Sequence, residues 1–263
     1  MDSLKPDDRN TLLTVDKLSV YFGRLAAVDS LDFQINHKEI FGLIGPNGAG
    51  KTTVFNAITG MVTPREGEIR VEDTNITRWK PHRITKKGIV RAFQAATIFP
   101  GTVVLEHVMS GLHCRTATTV AGAMLRTPFC RKEDRQVEDK ARALLAFTNL
   151  MEVEEQVASA LTWAQQKRLM VATALATQPK LILLDEPVAG MNAEETQEIV
   201  DLISAIRRQG ITVFIIEHNM KVIMKICDRI LVMNYGRKLT EGDPEKISQD
   251  PKVIEAYLGY TQK

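Results

Sequence analysis

GPNGAGKT, residues 45–52, decides the fold of this chain because it matches the pattern G-x-x-x-x-G-K-[ST] in full. It follows the compact apolar run from Ile40 to Ile44, which predicts a buried strand, and it precedes a helix-like stretch from Lys51 to Thr59. Glycines in such a loop let successive backbone N–H groups turn toward one anion, and the helix N-terminus adds partial positive charge. Strand, loop and helix in this order predict a phosphate-binding loop.

The loop and the helical turn after it supply the candidate nucleotide-binding residues. Lys51 is expected to bridge the β- and γ-phosphates, and Thr52 to offer its hydroxyl to magnesium. The full set of predicted contacts is Gly45, Pro46, Asn47, Gly48, Ala49, Gly50, Lys51, Thr52 and Thr53. The ligand that this pattern predicts is a nucleoside triphosphate with magnesium.

A second chemical element is a pair of acids at the end of an apolar run. The run from Leu181 to Leu184 predicts a buried strand that ends on Asp185 and Glu186. The aspartate is expected to hold the magnesium shell, and the glutamate to orient or deprotonate a water for attack on the γ-phosphate. Two acids at a strand end are more often solvated caps than catalysts. We expect this strand to lie next to the strand of the phosphate loop, and that position favours the catalytic interpretation.

The composition is that of an ordinary globular protein. Charged residues make up 25% and hydrophobic residues 44% of the 263 residues, which excludes disordered and fibrous classes. Lys and Arg number 34 against 32 Asp and Glu, so the net charge of +2 gives no electrostatic case for a nucleic-acid-binding protein. The apolar runs fall short of the roughly 20 residues that span a bilayer. The polar start lacks the apolar core of a secretory signal, and the three cysteines have no C-x-x-C spacing, so we expect reduced thiols in a cytosolic protein.

Apolar periodicity separates the chain into α/β and helical parts. Residues 31–35 alternate between apolar and polar, which is typical of a strand with one exposed face. In the middle third, apolar residues recur at helical spacing on either side of a poorly periodic stretch, residues 116–131. The last third returns to strands that alternate with helices, and Asn192 with Glu195 predicts a helix N-terminus with a capping box. This alternation predicts parallel crossovers and a largely parallel sheet covered on both sides.

Four further motifs are similar to those of a known family. An R-x-F-Q stretch runs from Arg91 to Gln94, and D-E-P-x-A-G-x-N runs from Asp185 to Asn192. I-E-H-x-M occupies Ile216 to Met220, and I-x-x-Y-L-G occupies Ile254 to Gly259. With the phosphate loop, these motifs make nearly the whole chain resemble the ATP-binding subunit of an ABC transporter. The branch that it resembles most is that of the branched-chain amino acid importers.

The resemblance assigns catalytic and metal-binding roles to single residues. Glu186 would be the general base, and His218 would be the second catalytic residue, bonded to the γ-phosphate of ATP. Thr52, Gln94 and Asp185 would hold Mg2+, and Gln94 would also relay the nucleotide state to the membrane subunit. ATP and Mg2+ are the cofactors that these roles imply.

The resemblance also implies a stacking partner for adenine. Phe22, immediately before Gly23, matches the aromatic residue on which the adenine ring stacks in the family. The alternative is an ordinary core phenylalanine on the first strand. Tyr21 is the rival aromatic, but strand alternation would point it to the other face.

The signature segment departs from the family pattern. L-S-G-G-Q appears here as LTWAQ, from Leu161 to Gln165. In the family, this segment begins a helix whose N-terminus faces the γ-phosphate bound by the other subunit, so Thr162, Trp163, Ala164 and Gln165 are candidate nucleotide contacts. The alanine keeps the backbone N–H, but we expect its methyl group to hinder close approach. The polar neighbours of the tryptophan argue against a core position for it.

The pattern and the resemblance together predict the fold class and the domains. The fold class is α/β, a P-loop NTPase core with a mainly parallel sheet, an N-terminal antiparallel β subdomain and a helical subdomain insertion. Residues 1–11 are expected to be a flexible tail, and residues 12–94 with 181–240 the ATP-binding core. Residues 95–180 would form the helical subdomain with the signature segment, and residues 241–263 a C-terminal helical extension.

The function that the resemblance implies is ATP hydrolysis that powers uptake of branched-chain or related amino acids. The implied partners are integral-membrane permease subunits, a second ATPase subunit and an extracytoplasmic solute-binding protein, with no nucleic acid. The implied location is the cytoplasmic face of the cell membrane, without a transmembrane segment in this chain.

Two alternative functions stay open. The first is a soluble ABC-type ATPase that acts as an assembly or repair factor. Such proteins usually join two ATPase domains in one chain, whereas this chain has one phosphate loop and one signature segment in 263 residues. The second is the ATPase of a lipid or lipopolysaccharide exporter, against which only the branch-specific motifs argue.

Overall fold

The computed structural model describes residues 10–92, 99, 101–113 and 128–258. The predicted site residue Gln94 lies outside the described residues. The strands are β1 Thr11–Phe22, β2 Leu25–Asn36, β3 Ile40–Ile44, β4 Glu66–Val71, β5 Thr74–Asn75, β6 Ile89–Ala92, β7 Leu181–Asp185, β8 Thr212–Ile216, β9 Arg229–Asn234 and β10 Arg237–Gly242. The helices are α1 Lys51–Ile58, α2 Pro81–Lys87, α3 Val104–His113, α4 Pro128–Phe147, α5 Trp163–Ala176, α6 Ala193–Arg208, α7 Met220–Ile226, α8 Pro244–Gln249 and α9 Pro251–Leu258.

The strands form two sheets. The first is antiparallel, with the order β2-β1-β4-β5, and the second has the order β10-β9-β3-β8-β7-β6. In the second sheet β3 runs parallel to β8 and β9, and β7 runs parallel to β8, whereas β10 is antiparallel to β9. The predicted fold class, α/β with a mainly parallel sheet and an N-terminal antiparallel sheet, is confirmed.

The expectation that the acidic strand neighbours the phosphate-loop strand is wrong, because β8 lies between β3 and β7. All three strands are parallel, so their carboxyl ends still meet at one edge of the sheet. The intervening strand brings its own carboxyl-terminal residues, Glu217 and His218, between the phosphate loop and the acid pair. The acid pair therefore still lies at the same sheet edge as the phosphate loop, although β3 and β7 are not neighbours.

Burial explains the difference between the two sheets. Every residue of β3, β7 and β8 is buried, as expected for central parallel strands covered on both faces. Residues 31–35 of β2 alternate between buried and exposed, which confirms the predicted strand with one exposed face. Phe33, Phe41, Phe55 and Phe214 form an aromatic cluster, with ring centroids 4.7 Å apart for Phe55 and Phe214. This cluster packs α1 against the sheet and so supports both flanks of the phosphate loop.

The chain divides into two compact units. One unit comprises residues 1–91 and 180–263, and the other comprises residues 92–179. The second unit has its own core, to which α3, α4 and α5 contribute Val104, Val108, Val137, Ala141, Leu145, Leu169 and Ala172. The helix α4 begins at Pro128, inside the stretch 116–131 that has little periodicity, because proline suits the first turn of a helix even where no apolar repeat announces it.

Candidate functional site

The phosphate loop is held in shape by two glycines that no other residue could replace. The backbone φ of Gly45 is 153°, and a Cβ atom there would lie 2.2 Å from the carbonyl oxygen of Met233. Gly50 adopts a left-handed φ of 98° as the N-cap of α1, and a Cβ there would lie 2.3 Å from the carbonyl oxygen of Ala27. Close approach of β9 and β2 therefore requires glycine at both ends of the loop.

Lys51 lies inside the curve of the loop. Its side chain is buried, and its Nζ donates to the carbonyl oxygens of Gly45 at 2.7 Å and Pro46 at 2.9 Å. Burial lowers the pKa of the Lys51 ammonium from its usual value, while the charges of Glu186 and Asp185 oppose that shift. A cation in this position is ready to meet an anion that enters the loop.

Asp185, at the end of β7, is held by Arg91 of β6. The two side chains form an ion pair and are 9% and 11% exposed, respectively. The guanidinium also donates to Asn56 Oδ1 of α1 at 2.6 Å, so it connects the acidic strand to the helix that begins at the phosphate loop. Arg91 belongs to the R-x-F-Q motif, but its role could not be predicted from the sequence, because its partner lies far away in the chain.

Glu186 and His218 face each other across the carboxyl edge of the sheet. His218 Nε2 lies 2.8 Å from Glu186 Oε1, and both side chains are partly exposed. Glu186 has a left-handed backbone φ of 51°, and its N–H donates to the Ile216 carbonyl oxygen at 2.9 Å. A positive φ is uncommon for a residue other than glycine. The structure therefore brings together the two residues that the sequence analysis assigned to catalysis.

Glu217 is a buried acid that the sequence analysis missed. Its carboxylate accepts from the backbone N–H of Val188 at 3.2 Å and of His218 at 2.7 Å, and it is 3% exposed. These bonds fasten the segment after β7 to the segment after β8, and so fix the spacing between Glu186 and His218. An acid directly after a wholly apolar strand was the available signal.

One cavity of about 440 Å³ joins Lys51, Glu186 and His218. Its lining comprises Leu25, Ala26, Ala27, Asn47, Gly48, Ala49, Gly50, Lys51, Thr52, Thr53, Glu186, His218, Tyr235 and Gly236. Phe22 is 52% exposed, and it is not one of the described residues that line this cavity. Tyr21 is half-buried, with the Arg65 guanidinium 5.2 Å from its ring centroid. The adenine contact of Phe22 stays a prediction, and Tyr235 is a lining residue that the sequence analysis did not select.

The oxygen donors at this edge suit a magnesium ion. Thr52 is an exposed residue in the first turn of α1, and Asp185 ends β7 in the same compact unit. Hydroxyl and carboxylate oxygens are the ligands that Mg2+ takes together with water and phosphate. The residues present therefore fit the predicted ion.

The signature segment, considered within its own unit, begins α5 with a capping box. Thr162 Oγ1 accepts from the Gln165 backbone N–H at 3.3 Å, and the Gln165 side chain accepts from the Thr162 backbone N–H at 3.0 Å. Trp163 is 55% exposed, with Lys167 Nζ 5.2 Å from its ring centroid, so it is not a core aromatic. Ala164 is only 7% exposed. This low exposure argues against the hindrance that we expect from its methyl group.

Fold and site together define a P-loop nucleotide-binding protein with an acid pair and a histidine at the same sheet edge. Residues 28–189 match the ABC transporter family, and residues 237–261 match the family described as branched-chain amino acid ATP-binding cassette transporter. The chain therefore belongs to the ATP-binding subunits of the ABC transporter family, and it is an ATPase of that family.

Curated relatives agree over almost the full length. The high-affinity branched-chain amino acid transport ATP-binding protein BraF of Pseudomonas aeruginosa is 39% identical over 249 residues, which is 94% of this chain and 98% of the relative. The protein of the same description called LivG, from Escherichia coli K12, is 40% identical with the same coverage. Among solved structures, the ADP conformation of MJ1267, an ATP-binding cassette of an ABC transporter, superposes with a TM-score of 0.83. That structure is 32% identical, and the match covers 95% of this chain and 99% of the neighbour. Within the described residues, none of the helices has the length and hydrophobicity needed to cross a membrane.

Proposed function

We propose that this protein is the ATP-hydrolysing subunit of an importer for branched-chain or related amino acids. The observation that carries the proposal is the convergence of Lys51, Glu186 and His218 on one cavity beside the phosphate loop. The choice of cargo is supported by the description of the relatives as high-affinity branched-chain amino acid transport proteins and by the match over residues 237–261. The nucleotide is ATP.

Each residue at the site has a step that its position suits. Lys51 holds the β- and γ-phosphates and stabilises the charge that develops on the γ-phosphoryl group. Glu186 takes the proton of the attacking water, and His218 holds the γ-phosphate while its contact with Glu186 orients the carboxylate. Thr52, Asp185 and Gln94 would hold magnesium, which would supply charge neutralisation for the phosphates.

The assembly that we propose contains two ATPase subunits on a pair of permeases. Thr162, Trp163, Ala164 and Gln165 of one subunit would complete the nucleotide site of the other, with Gln94 relaying nucleotide state to the permease. Phe22 would stack on the base. The complex would lie at the cytoplasmic face of the membrane, and an extracytoplasmic solute-binding protein would deliver the cargo.

Transport by the reconstituted complex tests the proposal. The chain is purified with the membrane proteins that accompany it, placed in liposomes and supplied with its solute-binding protein and radiolabelled leucine. We expect uptake that requires ATP and that disappears with Glu186→Gln. ATP hydrolysis that responds to a lipid and not to the amino acid would favour the exporter alternative, and full activity of the chain without a membrane partner would favour the soluble one.

A further inference from the structure

The turn between β9 and β10 places an aromatic side chain where a small polar residue is preferred. Asn234 and Arg237 pair across the hairpin, so Tyr235 and Gly236 are its two central residues. Their backbone φ angles are 47° and 77°, both in the left-handed region. A two-residue turn of this kind favours Asn-Gly or Asp-Gly, because a bulky side chain is disfavoured at positive φ. Tyr235 therefore occupies its place at a conformational cost.

The tip of this hairpin is bonded to the phosphate loop. The Gly236 N–H donates to the Ala49 carbonyl oxygen at 3.1 Å, and the Gly236 carbonyl oxygen accepts from the Asp29 N–H at 2.9 Å. The Arg237 guanidinium also donates to Asp29 Oδ2 at 2.6 Å. These contacts fix the backbone of Tyr235 relative to the loop, so its side chain projects from a fixed point beside the phosphate site.

Tyr235 is 75% exposed, and it lines the same cavity as Lys51 and His218. Leu25, Ala26 and Ala27 contribute apolar surface to that cavity, whereas the loop and the acid contribute the polar groups. An exposed aromatic beside apolar side chains suits a flat heterocycle, because stacking removes both surfaces from water. The phosphate-binding groups and this surface correspond to the two chemical parts of a nucleotide.

We propose that Tyr235 contacts the nucleoside part of the bound nucleotide and contributes to its affinity. The inference rests on the proposed ATP site, and it adds a base contact from a hairpin that the phosphate-loop motif does not contain. Phe22, which the resemblance assigns to the adenine ring, is exposed outside the described lining, so the two aromatics would act as separate contacts.

Binding of two ligands by matched variants of the full chain tests this proposal. Tyr235→Asn removes the ring while giving the turn a residue that it prefers, and Tyr235→Phe keeps the ring. Met61→Asn, at a 68% exposed side chain of the same unit outside the described lining, is the control. Calorimetry measures the affinity for ATP and for inorganic tripolyphosphate, which has the phosphates without the nucleoside.

We expect Tyr235→Asn to weaken ATP binding by at least about five-fold, the lower end for loss of one base-to-aromatic contact, and to leave tripolyphosphate binding within about two-fold. Tyr235→Phe and Met61→Asn should bind ATP like the unmodified chain, and Tyr235→Asn should melt at the same or a higher temperature.

Unchanged ATP affinity in Tyr235→Asn would overturn the proposal. If that variant instead fails to bind the membrane partner, Tyr235 is a docking contact. Equal weakening of both ligands would also overturn it. Lys51→Ala distinguishes an error in the proposed ATP site from an error in the role of Tyr235. If ATP does not bind at the phosphate loop, Lys51→Ala leaves ATP affinity unchanged.

Discussion

Lys51 is the residue whose surroundings say most about the chemistry of the site. Its ammonium is buried and donates to the carbonyl oxygens of Gly45 and Pro46, inside the phosphate loop. We expect Lys51→Ala to abolish ATP binding, because it removes the side chain that contacts the β- and γ-phosphates. Calorimetry with MgATP measures this loss. Tight binding by the variant would refute the assignment of the site.

The lowered pKa of Lys51 predicts a pH dependence with a defined sign. Burial lowers this pKa in the free protein below 10.5, whereas bound phosphates favour the charged form and raise it. Over the interval between the two values, ATP binding takes up a proton, so affinity should fall as pH rises through the lowered pKa. Stability of the nucleotide-free fold should rise with pH between the lowered pKa and the usual value of 10.5, because the unfolded chain then holds more protons.

Proton uptake is measured by calorimetry over a series of alkaline pH values, in two buffers that differ in ionisation enthalpy. Lys51→Arg is the control, since a guanidinium stays charged over this range. Equal binding enthalpies in both buffers for the unmodified chain would contradict the prediction.

Arg91 is expected to matter for stability as well as for the position of Asp185. Arg91→Leu leaves a buried carboxylate without its partner, so the free energy of unfolding should fall by about 3–5 kcal/mol. Arg70→Leu is the matched control, because Arg70 and Glu68 form an ion pair whose side chains are 52% and 45% exposed. An exposed pair contributes about 0–1 kcal/mol. Urea denaturation of both variants tests the contrast, and similar losses in the two would show that burial does not govern the pair.

At the scale of elements, the signature helix α5 differs most from what its sequence suggests. The capping box uses the Gln165 N–H inside the helix, and Ala164 is buried. The sequence predicts that the alanine methyl group impedes a phosphate bound by the partner subunit, in which case Ala164→Gly would raise ATP hydrolysis. Because that methyl group is buried, glycine would instead remove its packing contacts and increase the conformational entropy of the unfolded chain.

Ala164→Gly should therefore lower the free energy of unfolding by about 1 kcal/mol and leave hydrolysis by the assembled complex no higher than before. Chemical denaturation and a phosphate-release assay measure the two effects. Thr162→Ala, which removes a cap contact of about 0.5–2 kcal/mol, gives a scale for the stability change. A clear increase in hydrolysis by Ala164→Gly would restore the steric interpretation.

Local signals predicted the elements that hold the site, but not how distant elements meet. The loop between β3 and α1 follows from eight consecutive residues, and the capping box of α6 follows from Asn192 and Glu195. Strand order is a property of the sheet, so the position of β8 between β3 and β7 could not be read from the spacing along the chain. For the same reason the partner of Arg91 and the loop-bridging role of Glu217 went unpredicted.

At the scale of the whole molecule, the chain carries one phosphate loop and one signature segment, in different compact units. If the signature segment serves a second subunit, ATP must hold two subunits together until hydrolysis releases them. The group that controls release is then the base, and the assembly can be trapped by removing basicity without removing the shape of the side chain.

Glu186→Gln makes that change. The amide keeps an oxygen where Oε1 lies 2.8 Å from His218 Nε2, and Asp185 remains available for magnesium, so nucleotide binding should be preserved. Without the carboxylate, the attacking water keeps its proton, and hydrolysis by the intact complex should fall by at least about 100-fold. ATP should then hold the paired ATPase subunits closed in the complex, as a cross-link or distance measurement between them would show.

The control is Glu194→Gln, which changes an exposed acid in the first turn of α6 and should leave both ATP hydrolysis and separation of the subunits unchanged. Hydrolysis at the unmodified rate by Glu186→Gln would mean that another group activates the water, and failure of ATP to close the pair would mean that the nucleotide does not bridge the subunits.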